Sequence, residues 1–256
     1  MKSKVMDSKI RSLSHVKAFG FELEGGWDQE PPERHRLVRD GSVTATGAFY
    51  VGELPSPVFA TSIEQLVEAS TFLEDNYPDH VAESCGLHVH MSFGPHKNGA
   101  LGSLAVEPYQ KYLYGRIAAW AKEKKVQSRA LWDRLAGQNN YCRLGLMPSA
   151  LITRANLHNR YFGVNLQSIW KHGTVEIRVL PAFRKPETAF AAIWRVLTTT
   201  ERWLALNMTA LVKRPEILEA VASGEDDDEE QDTVSVAVPA EPLLEELVQT
   251  APGGNL

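Results

Sequence analysis

Cysteine is nearly absent from this chain: Cys85 and Cys142 are the only two in 256 residues. Two thiols build no disulfide framework, which excludes a disulfide-stapled secreted scaffold and makes a reducing, cytoplasmic setting the expectation. Long apolar runs are missing as well. No stretch approaches the ~20 residues of a membrane span, and the opening MKSKVMDSKIRSLSHVK is basic without an apolar secretory segment. Nor is there a basic excess. The formal net charge is −5, and the acidity sits largely in one tract, Glu225, Asp226, Asp227, Asp228, Glu229, Glu230 and Asp232. The remainder is near neutral to slightly basic, which offers no electrostatic footing for duplex binding. No membrane partner is expected, and oligomeric state stays open.

What remains is an ordinary globular composition, 43% hydrophobic and 23% charged, long enough to bury a sizeable core. Residues 1–15 read as a flexible N-terminal arm, 16–222 as the folded body, and 223–256 as an acidic, disordered tail. His15–Leu23 alternates as a strand that Gly25-Gly26 should end. Leu37–Thr46 reads as a hairpin element around Asp40-Gly41, and Ala48–Leu54 as a short strand. Ser62–Asn76 has helical spacing with serine at the N-cap position. Leu87–Phe93 is a strand, and 108–136 is dominated by helical patterning. Tyr161–Leu166 and Thr174–Leu180 are strands joined through His172-Gly173. Glu187–Leu211 is a long helix, with a short one expected to follow toward Ala222. Strands and helices interleave too irregularly for a βαβ series, so the expected class is α+β with a mostly antiparallel sheet.

The informative stretch is CGLHVHMSFG, residues 85–94. In a strand it turns Leu87, Val89, Met91 and Phe93 to one face and His88, His90 and Ser92 to the other. The same division recurs in Glu22 and Glu24 against Phe21 and Leu23. It recurs again in Thr174, Glu176 and Arg178 against Val175, Ile177 and Val179, and more weakly at Glu53. For one strand alone a solvated polar face is the commonest explanation. Two adjacent same-side histidines with several carboxylates and almost no lysine are harder to explain that way, because carboxylates crowded on one face repel unless a cation sits among them. Oxygen ligands with one imidazole suit Mg²⁺ or Mn²⁺ better than zinc, and Arg178 beside them suits a phosphate.

The segments GFELEG (20–25), DGS (40–42), GELPSP (52–57), CGLHVHMS (85–92), NRYFGVN (159–165) and GTVEIRVLP (173–181) together resemble the amidoligase family of the carboxylate–amine ligase superfamily, alongside glutamine synthetase and glutamate–cysteine ligase. The likeness covers roughly residues 18–205. It implies a curved, glutamine synthetase-like half-barrel with helices on its convex face, and an ATP- and Mg²⁺-dependent reaction in which a carboxylate is phosphorylated and an amine attacks the acyl phosphate. It further implies Glu22, His88 and Glu176 as ligands of the metal that bridges ATP phosphates, and Glu24 and Glu53 as ligands of a second metal on the acceptor side. His90 and Ser92 would face substrate or nucleotide. Arg178 would act on the transferring phosphoryl group, and Arg160 would be a second anion-binding arginine. No residue matches a base for the amine. The ring arrangement in which an added N-terminal domain completes each site is not expected, since only about fifteen residues precede the first strand.

Three functions follow in order. The first is an ATP-dependent amide-forming ligase acting on an amino-acid, peptide or polyamine-type substrate. The second is a metal-dependent hydrolase using the same His/Glu site, disfavoured by Arg178 and by the shortage of nitrogen ligands. The third is an inactive ligase-like scaffold whose acidic tail recruits a partner. Asp40 reads first as a turn residue. Asn165 either lines the polar face or caps a loop. The Arg34-His35-Arg36 loop reads as solvated, and both cysteines read as buried small hydrophobes.

Overall fold

The computed structural model describes residues 13–94, 104, 107–145 and 161–211. Arg160, the expected helix toward Ala222 and the acidic tail lie outside the described residues. The architecture is α+β, built on a six-stranded antiparallel sheet that is open and not strongly curled.

The strands are β1 (Val16–Trp27), β2 (Tyr50–Pro55), β3 (Phe59–Ala60), β4 (Gly86–Phe93), β5 (Val164–Asn165) and β6 (Val175–Pro181). Their spatial order is β2-β1-β4-β6-β5, with β3 also paired to β1. The helices are α1 (Ile63–Asp75), α2 (Glu107–Glu123), α3 (Arg129–Leu135), the single-turn α4 (Ser168–His172) and α5 (Pro186–Leu211). No described helix is long and apolar enough to cross a membrane.

Alternation builds the core. Phe19, Phe21 and Leu23 of β1, Val89 and Met91 of β4, and Val175, Ile177 and Val179 of β6 are all buried in one cluster. Leu66 and Leu73 of α1, Leu113 and Ile117 of α2, and Ile193 and Leu197 of α5 fill the same cluster. Each such side chain contributes roughly 1.5–3 kcal/mol by leaving water. The helix α1 runs as its pattern predicts: Ser62 Oγ accepts from the Gln65 N–H at 3.3 Å, and the Asn76 N–H closes the far end on Phe72 O.

Several boundaries differ from the sequence pattern, for steric reasons. The strand β1 runs straight through Gly25-Gly26. A Cβ at Gly25 would lie 2.5 Å from Pro78 Cβ, and one at Gly26 would lie 2.5 Å from Ala48 Cβ, so these glycines permit close approach rather than a turn. The 37–46 segment forms no hairpin of its own. It touches the sheet through a bridge between Val38 and Glu53, and Asp40 Oδ1 accepts from the Ser42 N–H and hydroxyl at 2.8 and 2.7 Å in a local turn. The 108–136 helical stretch breaks into two at 124–128, and the 161–166 strand shortens to two residues. Leu13 is buried, and the backbones of Ser14, His15 and Val16 all donate to Glu201, so the end of the arm is tied to α5.

Candidate metal centre

Sheet register decides which polar side chains meet. Glu22 pairs with His88, Glu24 with Glu53, His90 with Glu176, and Asn165 with Glu176. Five strands therefore deliver their polar positions to one patch, on the face opposite the hydrophobic core.

That face is not solvated. His88 is 1% exposed, Glu176 4%, Glu24 5% and Arg178 5%. Glu22 and His90 keep 17% and 12% of their side-chain exposure and Glu53 is half-buried, so the cluster is partly uncovered along these residues.

His88 stands at the centre. Its Nδ1 lies 3.1 Å from Glu22 Oε2 and 3.4 Å from Glu176 Oε1, and its Nε2 lies 3.5 Å from Glu24 Oε1. Two groups of ligand atoms, each within 4.8 Å of one another, share it: Glu22, His88 and Glu176, and Glu24, Glu53 and His88. A neutral imidazole offers one lone pair, so His88 serves one group at a time and the other relies on its carboxylates. His90 Nε2 lies 3.1 Å from Glu22 Oε1, its Nδ1 lies 3.0 Å from Thr174 Oγ1, and its ring meets His172 edge-on at 5.6 Å. Arg178 Nη1 donates to Glu176 Oε1 and lies 3.4 Å from His88 Nδ1. Ser92 sits farther along β4, half-buried opposite Ala18.

The electrostatics follow from too many carboxylates in too little water. Burial pushes Glu53 up to about 7, and repulsion from Glu22, Glu24 and Glu176 adds to it against the pull of His88. Burial opposes ionisation of Glu22 as well, yet the hydrogen bonds and charges of His88 and His90 hold it well below the usual carboxylate range. Glu176 is likewise lowered, burial being outweighed by Arg178 and His88. Burial disfavours the charged form of His90, but Glu22 raises it overall. Four carboxylates and one shared imidazole form a donor set that fits a hard divalent cation, and the Arg178 guanidinium beside them offsets part of their charge.

Supporting contacts fix the side chains of the cluster. The Gly86 N–H donates to Glu24 Oε2 at 2.5 Å, and a Cβ at Gly86 would lie 2.6 Å from His88 Nε2, so only glycine leaves that ring its place. Asn165 both lines the site and shapes the loop: its Nδ2 donates to Glu176 Oε2 at 2.6 Å, and its Oδ1 accepts from the Gln167 N–H at 2.9 Å. Two of these residues escape sequence reasoning. Gly86 carries no signal beyond lying at the strand start. Arg134 is buried below the site on α3; its spacing from Leu131 puts it on the buried stripe, which is the signal that could have found it. Arg34, His35 and Arg36 form an exposed turn whose charges pair with Glu30 and Glu33, away from the cluster's hydrogen bonds. Cys85 and Cys142 are buried, and burial pushes both thiols up.

Fold and site thus describe an α+β protein with a buried acidic-imidazole cluster on one face of an antiparallel sheet, whose side chains lie close enough together that they could hold a metal ion. No family model matches the chain, and no curated protein or solved structure matches it.

Proposed function

We propose that this chain is an ATP- and Mg²⁺- (or Mn²⁺-) dependent carboxylate–amine ligase, forming an amide on an amino-acid, peptide or polyamine-type substrate. The observation that carries the reading is the pair of ligand groups around His88, one with Glu22 and Glu176, the other with Glu24 and Glu53. Two such groups meeting at His88 would suit what ligation needs: one charge-neutralising position for nucleotide phosphates and one for the acceptor carboxylate. When bound, the divalent ions would supply the charge neutralisation that phosphoryl transfer requires.

The chain's own residues do the positioning. Glu22, His88 and Glu176 would hold one ion, and Glu24 and Glu53 the other. His90, held by Thr174 through Nδ1 and lying 3.1 Å from Glu22 Oε1 through Nε2, would face substrate or nucleotide. Ser92 would extend that edge toward nucleotide. Arg178, bound to Glu176, sets that carboxylate's orientation and carries the positive charge beside it that a transferring phosphoryl group calls for. Arg160 keeps its expected anion-binding role within the proposal. The half-barrel of glutamine synthetase-like enzymes belongs to the proposal too. The sheet itself is open and not strongly curled, so what supports this part of the reading is the pooled acidic face and not the curvature.

The test is ADP release. Purified protein with Mg-ATP and a panel of amino acids, short peptides and polyamines is expected to release ADP only when both a carboxylate and an amine are present, and to lose that release on Glu176→Ala. Amide hydrolysis with metal and no nucleotide would replace the ligase by the hydrolase. Unchanged nucleotide binding and no turnover in wild type, Glu176→Ala and His88→Ala alike would leave the scaffold.

A further inference from the structure

Arg134 is 1% exposed, and its guanidinium hydrogen-bonds to main-chain carbonyls: Nη1 to Arg178 O at 3.1 Å, Nη2 to Cys85 O at 3.3 Å and to Ser84 O at 3.4 Å. Its Nε is buried without a hydrogen-bond partner. Burying a guanidinium is expensive, and here the compensation comes from the backbone of β6 and of the segment that leads into β4.

The location is specific. The β4–β6 register shifts by one residue between Leu87 and Val89, so His88 alone faces the Arg178–Val179 pair. Such a bulge re-aims side chains, and here it lies between His88 and Arg178. Arg134 reaches across it, to Arg178 on β6 and to the two residues that lead into β4. The Cys85–Gly86 peptide then joins Arg134 to the cluster directly: its C=O accepts from the guanidinium, and its N–H donates to Glu24 Oε2. A cation on the oxygen end polarises the peptide and strengthens the N–H as a donor to the carboxylate. The second connection runs through Arg178, whose carbonyl Arg134 holds and whose side chain binds Glu176.

We propose that Arg134 is a positioning residue for the metal centre, tying β6 at Arg178 to the residues that lead into β4 so that Glu24, through the Gly86 N–H, and Glu176, through Arg178, keep their places around His88. It deepens the metal-dependent reading above and rests on it only for the claim that the positioned groups bind cations. Arginine suits the task because its planar fork presents donors in fixed directions to several carbonyls; lysine carries the charge without the fork.

The experiment compares full-length wild type, Arg134→Lys, Arg134→Met and the control Leu113→Ala, a core truncation on α2. Two quantities are read: the hydrogen-exchange rate of the Gly86 amide relative to α5 amides, and Mn²⁺ affinity by titration with Mn²⁺ alone. Both Arg134 variants are expected to speed Gly86 exchange at least tenfold in that ratio and to weaken Mn²⁺ at least tenfold, with Leu113→Ala changing neither. Wild-type values in both Arg134 variants overturn the proposal. So does an equal shift in Leu113→Ala, which would mark general loosening. Tighter Mn²⁺ binding in Arg134→Met overturns it as well, since that is the result of merely deleting a positive charge near the carboxylates. If wild type binds no Mn²⁺ while Gly86 exchange still accelerates selectively in the Arg134 variants, the positioning role stands and the metal-dependent function falls.

Discussion

Glu24 and Glu53 face each other across the β1–β2 ladder, a like-charge pairing that destabilises a sheet by roughly 0.2–1 kcal/mol when nothing intervenes. The cluster absorbs the conflict in part by leaving a proton on Glu53 near neutral pH, and a divalent ion would resolve it with more charge. Each proposed ligand, and each residue that holds one, then has a measurable signature. Glu22→Gln keeps the shape and removes one charge, so Mg-ATP affinity should fall at least about tenfold by titration calorimetry; unchanged affinity would remove Glu22 from the ligand set. Asn165→Ala deletes the donor that orients Glu176, and orienting contacts of this kind are worth about 10–100-fold in metal affinity. Gly86→Ala inserts a methyl where His88 Nε2 sits, so Mn²⁺ binding should be lost while unfolding shifts by about 1–3 kcal/mol, the usual overpacking cost.

At the scale of elements, legibility followed from periodicity and local chemistry. The helix α1 came through nearly residue for residue because Ser62 caps it and its apolar stripe repeats at helical spacing. Ser62→Ala should cost about 1 kcal/mol in urea unfolding without touching metal binding. The alternation of β4 and β6 was equally readable, and with it the polar face holding His88, His90, Glu176 and Arg178. Gly25-Gly26 was misread because a glycine pair looks the same in sequence whether it serves a turn or a crowded strand. Only the presence of Pro78 and Ala48 against those positions separates the two. Arg134 went unnoticed because an arginine in a seven-residue helix normally points to water. The partners that hold it inside are carbonyls, which have no sequence signature.

Across the whole molecule, Glu201 of α5 joins segments almost the full described length apart. It accepts from the Ser14 hydroxyl and from the backbone N–H groups of Ser14, His15 and Val16, just where β1 begins. Burial opposes its charge, but the Ser14 hydroxyl, the Val16 and His15 N–H groups and the His15 imidazole, whose Nδ1 lies 2.9 Å from Oε1, lower its carboxyl from 4.5 to about 2. A depressed carboxylate stabilises the fold above its unfolded pKa and loses that contribution as pH falls through the folded one. Glu201→Gln should therefore be less stable at pH 7 by roughly 1–2 kcal/mol, a figure reduced for partial solvent screening. The gap should close as chemical denaturation is repeated from pH 5 down to pH 2; a gap constant over that range would show that the charge contributes nothing.

The sequence by itself determined the α+β class, the course of α1 and α5, and the two-faced strands, because period and capping are properties of neighbouring residues. It also supplied every member of the two ligand groups, since each stands at an alternate position of its own strand. Tertiary structure decided what those members meet. Register sets Glu22 beside His88 and Glu24 opposite Glu53, and a one-residue slip would have turned each of them into the core. The bulge, the glycine at 86 and the guanidinium of Arg134 were likewise decided in three dimensions, because close approach and buried charge depend on atoms far along the chain.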